Sequence, residues 1–205
     1  MLDHDARAPS AELKSTSWYI RLTSELDAAD ASARTLVSGL TRAQLNWKPQ
    51  PDVWSIGECL VHLCLSNEVY VEPIVDSLRR PASGPVDEIT PGWFGRWFIR
   101  NYIEPATQNR PARAPRKAVP PAEEVDASVL DRFIASNATM LAVMTLALGH
   151  DVNRVRFRNP YIPLLRFTVG TGFQILARHN HRHLLQAERV KALMQMSENA
   201  HTGLV

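Results

Sequence analysis

In the stretch Ile175–Val190, ILARHNHRHLLQAERV, histidines stand at three alternate positions, His179, His181 and His183. Imidazole is a common metal ligand and general base near neutral pH, so which rings face the same way matters. Alternation by two suits a strand face, but the flanking Leu, Ala, Gln, Glu, Arg, Lys and Met residues form helices readily. On a helix each residue advances about 100°, so His179 and His183 lie about 40° apart, one turn from each other. His181 is about 200° from His179 and points away, among Arg178, Arg189 and other solvated positions. The apolar stripe of this helix is Phe173, Leu176, Ala187, Val190 and Met194. The His179–His183 pair falls at its edge, with Gln186 beside it.

Two imidazoles at i and i+4 can chelate one divalent ion, because their nitrogens converge about one turn apart. Two ligands make a weak site, so a third has to come from another helix. His62, in WSIGECLVHL, lies on the edge of a second apolar face and is the candidate. His150 is its rival, but it follows Gly149, where a turn is expected. The competing reading keeps His179 and His183 as polar residues at a core boundary.

These residues need helices to hold them. Trp18, Leu22, Leu26, Ala29, Ala33, Leu36 and Leu40 recur at threes and fours, which predicts an amphipathic helix from Glu12 to about Gly39. Thr41 and Gln44 suit a capping box for one short turn, and the prolines of NWKPQPDVWS favour an extended connector. Ser55 and Glu58 suit a second box, opening a helix that carries Ile56, Cys59, Leu60, Leu63, Tyr70, Ile74 and Leu78. Pro73 predicts a kink or break one turn earlier. A third long helix is expected from about Asp126 to Leu148, with Leu130, Phe133, Ile134, Asn137, Leu141 and Met144 on one face. The fourth runs from about Thr171 to Met196, and NRVRFRNPYIPLLRFTV between them reads as a loop. No strand alternation is long enough to build a sheet.

Residues 81–121 stand apart. They are rich in proline, and basic residues collect in the second half, at Arg96, Arg100, Arg110, Arg113, Arg116 and Lys117. WFGRWFIRNYI inside them predicts a short helix, and the remainder a long irregular connection between the second and third helices, a feature often tied to function. Four long amphipathic helices imply an all-α four-helix bundle. The 205 residues suit one domain, with a core from about 11 to 197.

Hydrophobic residues make up 45% and charged residues 21% of the chain, an ordinary globular balance. The net charge of +2 selects no partner. There is no uninterrupted apolar run of membrane-spanning length and no basic-then-apolar leader pattern in MLDHDARAPS, so the cytoplasm is the expected location and no membrane is expected as a partner. Cys59 and Cys64, five apart on one helix, point in different directions and read as small buried hydrophobes.

LNWKPQPDVWSIGECLVHL together with HNHRHLLQAERV resembles the DinB-like metalloprotein superfamily, including its thiol-transferase-like members. That family shows a W-x-P…WS-x-x-E-x-x-x-HL block at the start of the second helix and H-x-x-x-H followed by L-x-Q on the fourth. The resemblance covers nearly the whole chain, and it implies an up-down-down-up four-helix bundle, often dimeric. It implies three metal-binding histidines, His62, His179 and His183, and zinc or nickel as the usual ion. Some relatives transfer low-molecular-weight thiols to electrophiles, or hydrolyse or isomerise thiol adducts. The long basic connection at 81–121 departs from the short members.

Glu58 and Gln186, each one turn from a candidate ligand, are expected either to orient the site or to serve as a capping carboxylate and a packing residue, respectively. Trp54 reads as a core anchor, and Arg110, Arg113 and Arg116 as a solvated loop. The leading expectation is a divalent-metal protein acting as a thiol S-transferase or hydrolase on a small-molecule thiol and an electrophile. A non-catalytic metal-binding stress or sensing protein is the second. A nucleic-acid-associated protein using the basic connection is the third, and nucleic acid is not the expected partner. Trp93, Phe94, Trp97 and Phe98 in that connection suggest a face covered in a homodimer.

Overall fold

The computed structural model describes residues 16–104, 114–162, 164–201 and 203. Among them, four long helices carry the fold: α1 (Ser17–Val37), α3 (Ile56–Leu78), α5 (Val129–Ala147) and α6 (Val169–His201). Two short helices, α2 (Arg42–Asn46) and α4 (Trp93–Phe98), lie between them. α1 and α3 each pack against both α5 and α6. The mostly helical class expected from periodicity is present.

Local chemistry explains the helix boundaries. On α1 the residues at threes and fours, Trp18, Leu22, Leu26, Ala29, Ala33 and Leu36, are all buried, and Gly39 leaves the helix with φ +74°, which glycine adopts without a Cβ clash. The first turn of α1 is capped from a distance: Ser17 N–H and Oγ–H donate to the two carboxylate oxygens of Asp87, both at 2.8 Å. Thr41–Gln44 and Ser55–Glu58 both form the reciprocal capping boxes that their spacing suggests. α3 has no break before Pro73; it is one helix from Ile56 to Leu78. Tyr70 and Ile74, buried on either side of the proline, hold the two halves in one packed line.

The core has two apolar halves. One gathers Trp18, Leu22, Leu26, Tyr70, Ile74, Met140 and Phe173; the other gathers Ala33, Leu36, Ile56, Leu60, Leu63, Phe133 and Val190. Between them lies a polar layer with one residue from each long helix. Asn137 Oδ1 accepts from Asn67 Nδ2 at 3.0 Å and Asn180 Nδ2 at 2.8 Å, and Asn137 Nδ2 donates to Asp30 Oδ1 at 2.6 Å. Burial raises the Asp30 carboxyl above its ordinary range, against the Asn137 bond, which lowers it.

The segment expected as a loop before α6 is a two-stranded antiparallel ribbon, β1 (Arg156–Arg158) and β2 (Arg166–Thr168), in the register Arg156↔Thr168, Phe157↔Phe167, Arg158↔Arg166. Phe157 and Phe167 point inward, and Phe157 meets Tyr70 of α3 edge-on at 5.7 Å. A Cβ on Gly172 would lie 2.7 Å from the Phe157 ring, so that glycine makes room for the ribbon.

The short helix expected within the connection at 81–121 is present, and the other described residues of the connection are mostly irregular. α4 runs on into a π-helical turn, Ile99–Ile103, and a 3₁₀ turn follows at Arg116–Ala118. Of the aromatics expected to be exposed, Phe94 and Phe98 pack against Phe167 instead. Trp93, 73% exposed, and Trp97, 44% exposed, remain on the surface. α5 is long and apolar enough to cross a membrane by length and composition, but here it is a packed element of the bundle with Phe133, Met140 and Met144 buried.

Candidate metal centre

α3 and α6 each face the second apolar half of the core with one edge, and the histidines stand on those edges. His62 lies one turn after Glu58 on α3, fixed by a helix start that Ser55 and Glu58 cap. His179 and His183 share one face of α6, as the 3.6-residue period requires. One ring nitrogen from each of the three lies within 4.8 Å of the others. The His62 and His179 rings are 4.9 Å apart, and each is close to His183, at 4.5 Å in both cases. His62 and His183 are buried and His179 is half-buried.

Two of the three outward nitrogens are engaged, while His179 Nδ1 is buried without a hydrogen-bond partner among the described residues. His62 Nδ1–H donates to the Ala118 carbonyl at 2.6 Å, and His183 Nδ1–H donates to Gln186 Oε1 at 2.9 Å. Each bond fixes the tautomer that leaves the Nε2 lone pair free, as orienting partners do around metal-ligating histidines. His62 Nε2 and His179 Nε2 are 3.2 Å apart. Tetrahedral zinc with Zn–N bonds of about 2.0–2.1 Å separates its ligand nitrogens by about 3.3–3.4 Å, so this spacing suits a shared ion. Burial lowers all three basicities. His62 sits below its ordinary value from burial against the Ala118 bond, and His179 well below it from burial and the charges of its neighbours. His183 is pushed down to about 3 by burial, then by His62 and Arg182. The rings are therefore neutral at pH 7, the form that binds a cation.

The surroundings place the other candidate residues. Glu58 is a capping residue: its oxygens accept from Ser55 N–H at 2.8 Å and Lys48 Nζ at 2.7 Å, and His62 bonds to Ala118 rather than to Glu58. Gln186 is hydrogen-bonded to a candidate ligand, His183. Trp54 is half-buried and packs against the second half of the core, as expected, and its ring also lies 4.6 Å from that of His62 and 5.9 Å from that of His183, forming a wall of the cluster. His181 is exposed, on the far side of α6. His150 is buried in the turn after α5 and lies outside the cluster. Arg116 is exposed, as expected of a solvated loop, whereas Arg110 and Arg113 lie outside the described residues.

Sequence reasoning missed the connection's part in this centre. Glu104 pairs with Arg178 of α6, Arg182 Nη1 donates to the Tyr102 carbonyl, and Ala118 reaches His62. Two of these contacts use backbone carbonyls, which carry no side-chain signal, and only the Glu104–Arg178 charges were visible in advance.

A predominantly helical bundle with a buried cluster of three neutral histidines defines a class of helical proteins with a candidate divalent-metal centre. The chain belongs to the DinB superfamily, whose family model matches residues 25–187 and so spans all four long helices or most of each. No curated protein and no solved structure gives a significant match.

Proposed function

We propose that His62, His179 and His183 hold one divalent ion, zinc or nickel, and that the protein is a metal-dependent S-transferase or hydrolase acting on a small-molecule thiol and an electrophile. The observation that carries this reading is the convergence of three neutral imidazoles whose outward nitrogens are tied at two of three positions. An ion in such a site supplies Lewis acidity and lowers the pKa of a thiol or water that it binds. The chain's own residues do the rest. Three neutral ligands add no negative charge, and the Arg182 guanidinium stands close enough to all three rings to depress their basicity. Both features favour an anionic substrate, such as a carboxylate-bearing thiol. Trp54 covers one side of the cluster.

The proposed helix order is up-down-down-up. Trp18 at the start of α1 stacks on Phe173 at the start of α6, which supports a parallel pair, and Gly57 near the start of α3 meets Val125 just before α5. The exposed Trp93 and Trp97 support a homodimer, expected to sediment above the 23.0 kDa of one chain. Free buried cysteines support a reducing location, the cytoplasm.

The experiment is to measure zinc and nickel in protein purified without a His tag, then follow adduct formation between small thiols and a chromogenic electrophile. Turnover that scales with metal content and vanishes in His179→Ala is expected. Equal rates for the loaded protein and that variant with every thiol would sink the transferase reading and leave a binding role.

A further inference from the structure

The ribbon ahead of α6 has an inner face of phenylalanine and an outer face of arginine. Arg156 and Arg158 on β1 and Arg166 on β2 are all exposed, and the register sets Arg158 directly opposite Arg166. None of the three has an ion-pair partner among the described residues; the nearest acidic side chain in sequence, Asp151, pairs with Arg154. Like charges facing each other across a ladder destabilise it, so this face suits an anionic partner. The tip carries a different chemistry. Leu164 is 99% exposed and Ile162 50% exposed, and Asn159 at the base of the tip is held by several hydrogen bonds. Asn159 N–H donates to the Leu165 carbonyl at 2.8 Å, Asn159 Oδ1 accepts from the N–H of Tyr161 and of Ile162, both at 2.9 Å, and Asn159 Nδ2 donates to Tyr70 Oη at 3.1 Å.

From this pairing of unbalanced arginines with projecting aliphatic side chains, we propose that the ribbon docks the protein peripherally on an anionic phospholipid surface, with Arg156, Arg158 and Arg166 on lipid phosphates and Ile162 and Leu164 in the interfacial layer. Arginine alone would serve a nucleic acid equally well, but exposed Leu and Ile gain nothing from a phosphate backbone and gain apolar contact in a bilayer. The sequence itself predicts no membrane partner, because peripheral docking of this kind needs no spanning segment. None of these five residues belongs to the histidine cluster, so vesicle binding tests the surface separately from the metal.

The test is co-sedimentation of the full chain with vesicles of phosphatidylcholine alone and of an equimolar phosphatidylcholine–phosphatidylglycerol mixture. Binding to the mixed vesicles only, weakened by salt, is expected. Replacing all three arginines by glutamine should weaken it on the order of 100-fold. The pair Ile162→Ser and Leu164→Ser should weaken it about tenfold and leave the salt dependence in place. All these positions are exposed, and circular dichroism and metal content of both variants should match the parent. Equal binding to both vesicle types, binding to neither, an arginine variant that binds like the parent, or tighter binding to duplex DNA than to the mixed vesicles would each overturn the proposal.

Discussion

Replacing Gln186 by leucine should loosen the metal centre without touching a ligand. Gln186 Oε1 accepts from His183 Nδ1–H at 2.9 Å, and His183 is only 8% exposed. With the acceptor gone, that N–H is stranded where water barely reaches. The ring then either turns to find a partner or moves its proton to Nε2, where a lone pair is needed. A neutral hydrogen bond contributes about 1 kcal/mol and a stranded buried donor costs about 1–3 kcal/mol, so roughly 1–3 kcal/mol separates the variant from the parent. That is about a 10- to 100-fold loss of zinc affinity, the range seen when such orienting partners are removed elsewhere. Gln186→Glu keeps an acceptor and adds a charge that strengthens the bond, so its affinity should equal or exceed the parent's. The assay is zinc competition against a chromophoric chelator. Because the metal-free ring can turn or move its proton, the cost falls on metal binding, and melting of the metal-free protein should change far less than the affinity does. If Gln186→Leu bound zinc as tightly as the parent, the orienting role would be wrong.

His62→Ala, His179→Ala and His183→Ala should each strip most of the metal, whereas His181→Ala, on the exposed face, should keep it; metal analysis of the four variants checks this. Asn137→Ala removes the centre of the polar layer and leaves Asp30, Asn67 and Asn180 without their shared partner, so denaturant unfolding should show a loss of about 3 kcal/mol, and a loss under about 0.5 kcal/mol would contradict the assignment. The Cys59 and Cys64 thiols are pushed up to about 12 by burial, so they are protonated at about pH 8. Alkylation followed by mass spectrometry should leave both intact in the native protein and modify both in denaturant.

What could be read in advance follows from which signals repeat. Both capping boxes and the core face of α1 were legible because they rest on side chains at a fixed spacing. The separation of His179 and His183 from His181 was legible because helix geometry alone decides it. The ribbon was not, because strands of three residues give one alternation each, too short to distinguish from a loop. The continuity of α3 through Pro73 depends on tertiary packing, which outweighs a local breaker. Asn137 stood on an otherwise apolar face in the sequence, and that single misfit was the visible trace of the polar layer. Trp54 packs against the core as its apolar bulk suggests, and only the fold shows that it also lies across the imidazoles.

The bond from His62 to Ala118 has a consequence for how such a centre changes over time. Every residue type offers a main-chain carbonyl, so position 118 can drift in identity while its contribution persists, provided the newcomer is small enough for a spot with no exposed surface. What cannot drift is the path of the chain that delivers the oxygen. Selection there acts on insertions, deletions and turn-breaking substitutions rather than on side-chain chemistry. Two descendants could share the same centre and show no common letter at this place, and a comparison of letters would rank it among the least informative positions in the protein.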